Sequence, residues 1–329
     1  MKKNLFILTV VVMMAAVLSF SAFGARVLRY SHMNAPKSVA GLQATYFSEL
    51  VKEKTNGEIE IQVYPSSQLG NLQEMAEGVS MGTVAFHHNT AAAIGSLYKD
   101  FAALDTPFIY RDVDHLLKVT APSSPVIKEL SDALIKKRDV RVLYSFYFGT
   151  RHLTLDRAVY EPADLNGLKV RAIPFKIYMA AVEGLGAVAT PVDWSEVPTA
   201  LATGTVNGQE NPLDVIYSNK LNEIQSHLML TGHIKASELV VVNESIWQSL
   251  SVENQQKIRE AAEEASQYAT NLVLEKEEEQ LAALKEAGMT VISEEDGLDL
   301  KAFKENTLEI INERFDEEYG YIYDMIRSM

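Results

Sequence analysis

The 329-residue chain contains no cysteine, so it has no disulfide framework, no thiol nucleophile and no Cys to carry a lipid anchor. Ten Pro and 17 Gly are few for this length and exclude collagen-like and low-complexity classes. Basic residues are in deficit: 30 Lys and Arg stand against 44 Asp and Glu, a formal net charge of −14. That balance, with a pI of 5.0, leaves no basic footprint for a nucleic-acid backbone. No apolar run reaches the roughly 20 residues that span a bilayer.

The run that comes nearest, Leu5 to Phe20, follows Lys2 and Lys3 and precedes Ala22-Phe23-Gly24. Charged start, apolar middle and small-residue end are the layout of an export signal, with cleavage expected after Gly24 or Ala25. Loss of residues 1–25 would take the net charge to −16. An exported, soluble chain without an anchor is expected in a Gram-negative periplasm, with secretion to the medium as the alternative. With 47% hydrophobic and 22% charged residues the chain is globular. Its length exceeds one usual core and favours two domains.

Strand and helix signals alternate. Val27 to Tyr30 is a short β run, Gly41 to Lys54 carries Leu42, Tyr46, Phe47 and Leu50 at helical spacing, and Ile59, Ile61 and Val63 alternate strictly. A helix near Leu72 to Met81, a strand Thr83 to Phe86, a helical stretch Asp114 to Lys137 interrupted by Pro122 and Pro125, and a strand Val140 to Tyr147 follow. After Gly149 the grammar repeats, with strands Leu168 to Ala172, Val188 to Val192 and Glu238 to Val242, and helices Lys176 to Leu185 and Val197 to Thr203. This order predicts an α/β fold with a mainly parallel sheet covered on both faces. Val252 to Ala287 reads as one long helix, capped by Ser251 and stopped at Gly288, long enough to bridge both domains.

Catalytic and metal motifs do not survive their context. Gly78-Val79-Ser80-Met81-Gly82 fits G-x-S-x-G, but a nucleophile elbow runs from strand to helix and here the order is reversed. The seven His have no ligand spacing, and a strand would send His87 and His88 to opposite faces. No glycine-rich loop has phosphate-binding spacing. No cofactor or metal is expected.

What remains is a set of polar groups at strand ends. Arg151 follows the turn at Gly149, and alternation sets Arg171 with Lys169 opposite Leu168, Val170 and Ala172. A guanidinium facing a cleft needs a fixed anion, and its planar fork fits a carboxylate with two parallel hydrogen bonds.

The segments Gly167-Leu168-Lys169-Val170-Arg171, Gly184-Leu185-Gly186-Ala187, Thr190-Pro191, Ser195-Glu196-Val197 and Gly208-Gln209-Glu210-Asn211-Pro212 occur in that order. With Tyr64 to Gly70, Thr106-Pro107 and Gly149-Thr150-Arg151, they resemble the substrate-binding proteins of tripartite ATP-independent periplasmic (TRAP) transporters, the DctP-like family. The resemblance runs over nearly the whole chain after the export segment. It implies a type II-like periplasmic binding fold of two α/β domains around a hinge, with the long helix as spine. The expected limits are 26–148 plus 237–276 for the first domain and 149–236 plus 277–329 for the second.

The resemblance also implies roles. Arg171 would pair with the ligand carboxylate, Arg151 would assist, and Asn211 would hydrogen-bond the same group. Trp194 stands where many members carry Phe and offers a broad face to a sugar ring or carbon chain. Sialic-acid-binding members have Glu at the position of Thr90 and Asn at that of Met33, which argues against sialic acid as the ligand. His32, Met33, Asn34, His88, Asn89 and Thr90 form the expected opposite wall, a set that suits hydroxyls. Lys235 is the one cation placed to meet a second carboxylate. The expectation is a monomeric binding protein, not an enzyme, that delivers a sugar acid (a uronate or aldonate) to small and large membrane permease subunits. A C4-dicarboxylate ligand, a periplasmic sugar-acid hydrolase or lyase, and a sensor-linked binding protein are the alternatives.

Overall fold

The computed structural model describes residues 25–329, and the expected export signal falls outside them but for Ala25. Within the described residues no helix is long and apolar enough to cross a membrane. The first half runs β1 (Arg26–Ser31), α1 (Val39–Lys54), β2 (Ile59–Tyr64), α2 (Leu72–Ser80), β3 (Phe86–Thr90), α3 (Ala91–Ile94), α4 (Val113–Thr120), α5 (Pro125–Arg138) and β4 (Val140–Leu155). Then come β5 (Lys169–Ala172), α6 (Lys176–Gly184), β6 (Val188–Pro191), α7 (Val197–Ala202), β7 (Gly208–Pro212), α8 (Leu213–Ser218) and β8 (His227–Asn243). The chain closes with α9 (Glu244–Gln248), α10 (Val252–Glu286), β9 (Thr290–Ile292) and α11 (Leu300–Arg327).

Local chemistry explains these boundaries. Ser38 caps α1 by accepting from the Gly41 N–H, and Asn71 and Glu74 form a reciprocal capping box on α2. Pro122 and Pro125 split the stretch from 114 to 137 as expected. Pro125 sits at the start of α5 behind the Ser124 cap. The strand expected at Thr83 to Phe86 begins at Phe86 instead: the Gly78 carbonyl accepts from both the Thr83 and Val84 N–H groups, which keeps the chain in the helix-exit turn until Phe86.

The sheet has the order β2-β1-β3-β8-β4-β7-β5-β6, with β9 beside β8. Its flanks are parallel, β1 with β2 and β3, and β5 with β6 and β7. Its centre is not. β8 runs antiparallel to β3 and β4, and β4 antiparallel to β7. With β8 and β9 also parallel, five of the eight strand pairings among the described residues are parallel as expected; the antiparallel centre is what the expectation lacked. The two central strands span 16 and 17 residues, and only their most apolar thirds are visible in the hydropathy pattern.

Three buried clusters fill the molecule. One gathers Tyr30, Phe47, Phe86 and Phe146 under α1 and α10, a second Leu153, Val170, Leu185 and Phe303, and a third Val197, Leu221 and Leu284. The 35-residue α10 is roughly 52 Å long at 1.5 Å per residue. It enters the first cluster through Ile258 to Val273 and the third through Leu284. The C-terminal helix is also shared: Phe303 packs in the second cluster, while Phe315, Tyr319 and Ile326 pack in the first.

The β4–β8 ladder shifts register at three places, and the middle one, Tyr147/Gly149 against Ser237/Ala236, is the slip that adjoins the site. Gly149 has φ +121°, and a Cβ there would lie 2.7 Å from Pro212 Cβ, so both backbone and neighbour demand glycine.

Candidate functional site

β5 and β7 bring Arg171 and Asn211 to the cleft end of the right-hand strands, and β4 brings Arg151 beside them. Alternation does not set burial in β5: Lys169 and Arg171 share a face, yet Lys169 at the strand start is exposed and Arg171 is buried with Val170 and Ala172. Arg171 donates from Nε to the Val192 carbonyl at 2.9 Å, and its two Nη groups make no hydrogen bond among the described residues. Burial lowers its pKa to about 10, Glu210 opposes that shift and Arg151 adds to it. A buried guanidinium with an open fork is a strong anion acceptor.

Arg151 is held differently. Its Nε and Nη2 donate to the Glu210 carboxylate at 2.6 and 2.8 Å, and Nη2 also donates to the Glu210 carbonyl at 2.7 Å. His233 Nε2 contacts the same carboxylate at 3.0 Å, and the Tyr178 ring lies 5.1 Å from the Arg151 guanidinium carbon. Burial alone would raise the Glu210 pKa, but Arg151 and His233 outweigh it and hold the group at about 2. The Arg151 charge is therefore already balanced, which leaves Arg171 as the unmatched one. Asn211 donates one amide hydrogen to Gln209 Oε1, which in turn is fixed through Gln209 Nε2 to Thr154 Oγ1 at 2.8 Å. Its second amide hydrogen has no acceptor among the described residues.

The opposite wall is partly committed to the fold. His88 bridges Tyr30 Oη and Asn34 Oδ1, both at 2.8 Å. Asn89 donates to the Leu72 carbonyl and accepts from the Thr90 N–H, and Thr90 Oγ1 caps α3 through the Ala93 N–H. Met33 lies in the first buried cluster. His32 stacks on His88 with ring centroids 4.6 Å apart, and neither of its nitrogens has a partner among the described residues. Burial, then His87, lowers its pKa to about 3, so the ring is neutral. Lys235 is half-buried on β8 opposite Thr150.

Trp194 lies just before α7, half-buried, 5.7 Å from the Arg171 guanidinium carbon. Across a cavity it faces Ser66, Ser67 and Gly70 of the β2–α2 connection and Leu72 at the start of α2. Two contacts tie the sides of the cleft: the Val39 N–H donates to Asp214 Oδ2 at 3.0 Å and the Phe108 N–H to the His233 carbonyl at 2.9 Å.

The structure adds groups that the sequence reading passed over. Asp105, Tyr178 and Glu238 are buried, and each has a side-chain oxygen without a partner among the described residues. Glu238 did leave a signal, as a lone charge heading the apolar run Leu239 to Val242.

Residues 30–318 match the family model described as DctP, bacterial extracellular solute-binding protein, family 7. The chain belongs to this family. It is 33% identical over 315 residues to the 2,3-diketo-L-gulonate-binding periplasmic protein YiaO of Escherichia coli, covering 95% of this chain and 94% of the relative. Among solved structures, a TRAP periplasmic solute-binding protein of Roseobacter denitrificans with bound L-galactonate superposes with a TM-score of 0.85 at 30% identity, covering 92% and 98% of the two chains. A TRAP solute-binding protein of a Polaromonas species bound to D-erythronate gives 0.84 at 29% identity, covering 92% and 97%. The α/β binding-protein architecture and the DctP-like resemblance read from the sequence are therefore correct. The protein is a solute-binding protein of this family rather than an enzyme, and the relatives named here bind organic acids.

Proposed function

We propose that this DctP-family protein captures a sugar acid, an aldonate or uronate, by its carboxylate and hands it to the membrane permease subunits of a TRAP transporter. The observation that carries the reading is Arg171: buried, with Nε fixed to Val192 and both Nη groups open, next to an Arg151 already neutralised by Glu210. One ligand carboxylate on the Arg171 fork, assisted by Arg151 and by the second amide hydrogen of Asn211, completes this end. The ligands of these three relatives, 2,3-diketo-L-gulonate, L-galactonate and D-erythronate, are oxygenated acids with one carboxylate each. Trp194 supplies a flat wall beside the carboxylate end. Lys235 is the group that a C4-dicarboxylate would need.

A charge-assisted hydrogen bond contributes roughly 1.5–3 kcal/mol, whereas micromolar affinity requires about −8 kcal/mol. Arg171 alone falls short, so closure of two domains over the ligand must add contacts and exclude water. We take 26–148 with 237–276, and 149–236 with 277–329, as those domains, hinged where the β4–β8 register slips. The mature chain is a monomer in a Gram-negative periplasm after cleavage near Gly24 or Ala25, with no nucleic-acid partner.

A thermal-shift screen of aldonates, uronates and C4-dicarboxylates tests the reading, with NMR of each hit to check that it is returned unchanged. A ligand at 100 times its dissociation constant stabilises by about 2.7 kcal/mol. Aldonates or uronates should give the largest shifts. A panel in which only dicarboxylates shift the melting point would replace the ligand class, and turnover of a hit would overturn the binding role.

A further inference from the structure

Most of the buried side-chain polar atoms that lack a partner among the described residues belong to four side chains: both nitrogens of His32, one oxygen of Asp105, the Tyr178 hydroxyl and both oxygens of Glu238. Native interiors pair their polar groups, so a set of orphans in one region marks a place that something else completes. Glu238 is the extreme member, fully buried with neither oxygen bonded.

Its place in the sheet is defined by register. Glu238 stands opposite Thr90 on β3 and opposite Phe146 on β4. Residues directly opposite share a face, so Glu238 lies on the side of His88, against which His32 stacks. β1 and β3 are parallel and both end here, at Ser31 and Thr90. The carboxyl ends of parallel strands are where open α/β sheets hold ligands. Tyr178 is a further member of the set. Its ring lies against Arg151, and its hydroxyl is among the orphans.

Burial lifts Glu238 well above the ordinary carboxylate range, Asp105 adds repulsion, and Arg151 opposes both. Arg151 is already matched, because its Nε and Nη2 both donate to the Glu210 carboxylate. Lys235 lies three residues earlier on the same strand, which alternation places on the other face.

We propose that Glu238, backed by Asp105, is the specificity residue for the far end of the ligand: it pairs with hydroxyl groups there and rejects a second carboxylate. This rests on the sugar-acid reading above and extends it to one class, monocarboxylic polyhydroxy acids as against their diacids. A hydroxyl both donates and accepts, so it satisfies Glu238 whether that group holds its proton or not. A carboxylate only accepts. It would meet an ionised Glu238 with repulsion, or lie buried with no cation to balance it.

The test is titration calorimetry with matched acids that differ only in oxidation of the last carbon, L-galactonate with galactarate and D-gluconate with D-glucarate. Wild type should prefer the monoacid by roughly 100-fold, the scale of an unpaired buried charge. Glu238→Gln should cut that ratio by about tenfold or more, because the amide removes the acidic character and adds a donor. Wild-type binding of monoacid and diacid within about threefold overturns the proposal even where the variant fails to fold, and so does an unchanged ratio in a folded variant. If wild type binds neither these acids nor any other aldonate or uronate, the sugar-acid reading itself falls and this proposal with it. A monoacid that binds while the ratio criterion fails sinks only the role of Glu238.

Discussion

Trp194 shields one side of Arg171, its ring centroid 5.7 Å from the guanidinium carbon, while the Val192 carbonyl fixes Nε from another. Together they leave the Nη edge as the direction in which this cation can meet an anion. Lys at this position would keep the charge but lose both the Nε anchor and the two-pronged edge. Arg171→Lys should therefore weaken ligand binding by at least about tenfold in calorimetry, since it removes one or more charge-assisted hydrogen bonds. A loss smaller than about threefold would remove Arg171 from the site.

Trp194 should also report binding. The chain has two Trp, and the other, Trp247, is buried in α9 in the first cluster. A ligand-induced change in intrinsic fluorescence should thus vanish in Trp194→Phe. Trp194→Ala should cost a uronate about tenfold in affinity through lost ring contact. If the Phe variant keeps the signal, Trp194 is a packing residue and not a ligand wall.

How far these features could be read beforehand depends on where the information sits. The flanking βα units were legible because burial imprints period 2 and period 3.6 directly, as in Ile59 and Ile61, both buried, with Gln62 exposed between strand neighbours. Arg171 and Asn211 were legible because short ordered segments carry them. The antiparallel centre was not, since which strand lies beside β8 is fixed by long-range pairing that leaves no local pattern. The same applies to the wall facing Arg171. Asn89 and Thr90 looked like free polar groups, yet Asn89 serves the Leu72 carbonyl and Thr90 caps α3. Glu238 read as a strand-end charge until the register put it opposite Thr90.

Gly149 joins the register slip to the site, two residues before Arg151. At φ +121° a Cβ is strained, and it would also meet Pro212 Cβ at 2.7 Å. Gly149→Ala should destabilise the ligand-free protein by roughly 1–3 kcal/mol, a fall of about 2–8 °C in Tm by calorimetry. An unchanged Tm would show that the backbone here shifts freely, and the slip would then be a soft joint rather than a fixed one.

The last prediction concerns pH. Asp105 Oδ2 accepts from the Ala92 N–H at 2.7 Å, while Oδ1 has no hydrogen-bond partner among the described residues. Burial, partly offset by that N–H and by Arg151, raises the Asp105 pKa from 3.8 to about 7. A carboxyl whose pKa is raised on folding holds its proton in the native state more tightly than in the unfolded one. Its contribution is complete below pH 3.8 and is lost as pH rises through about 7. Asp105→Asn keeps an acceptor for the Ala92 N–H and removes the titration. The variant should unfold at nearly the wild-type temperature at pH 4 and become progressively more stable than wild type towards pH 8, by at most about 4 kcal/mol. Thermal unfolding of the ligand-free proteins across that range decides it. A difference that stays constant with pH, or that grows towards acid, would mean that Asp105 remains ionised in the fold and finds its counter-charge in Arg151.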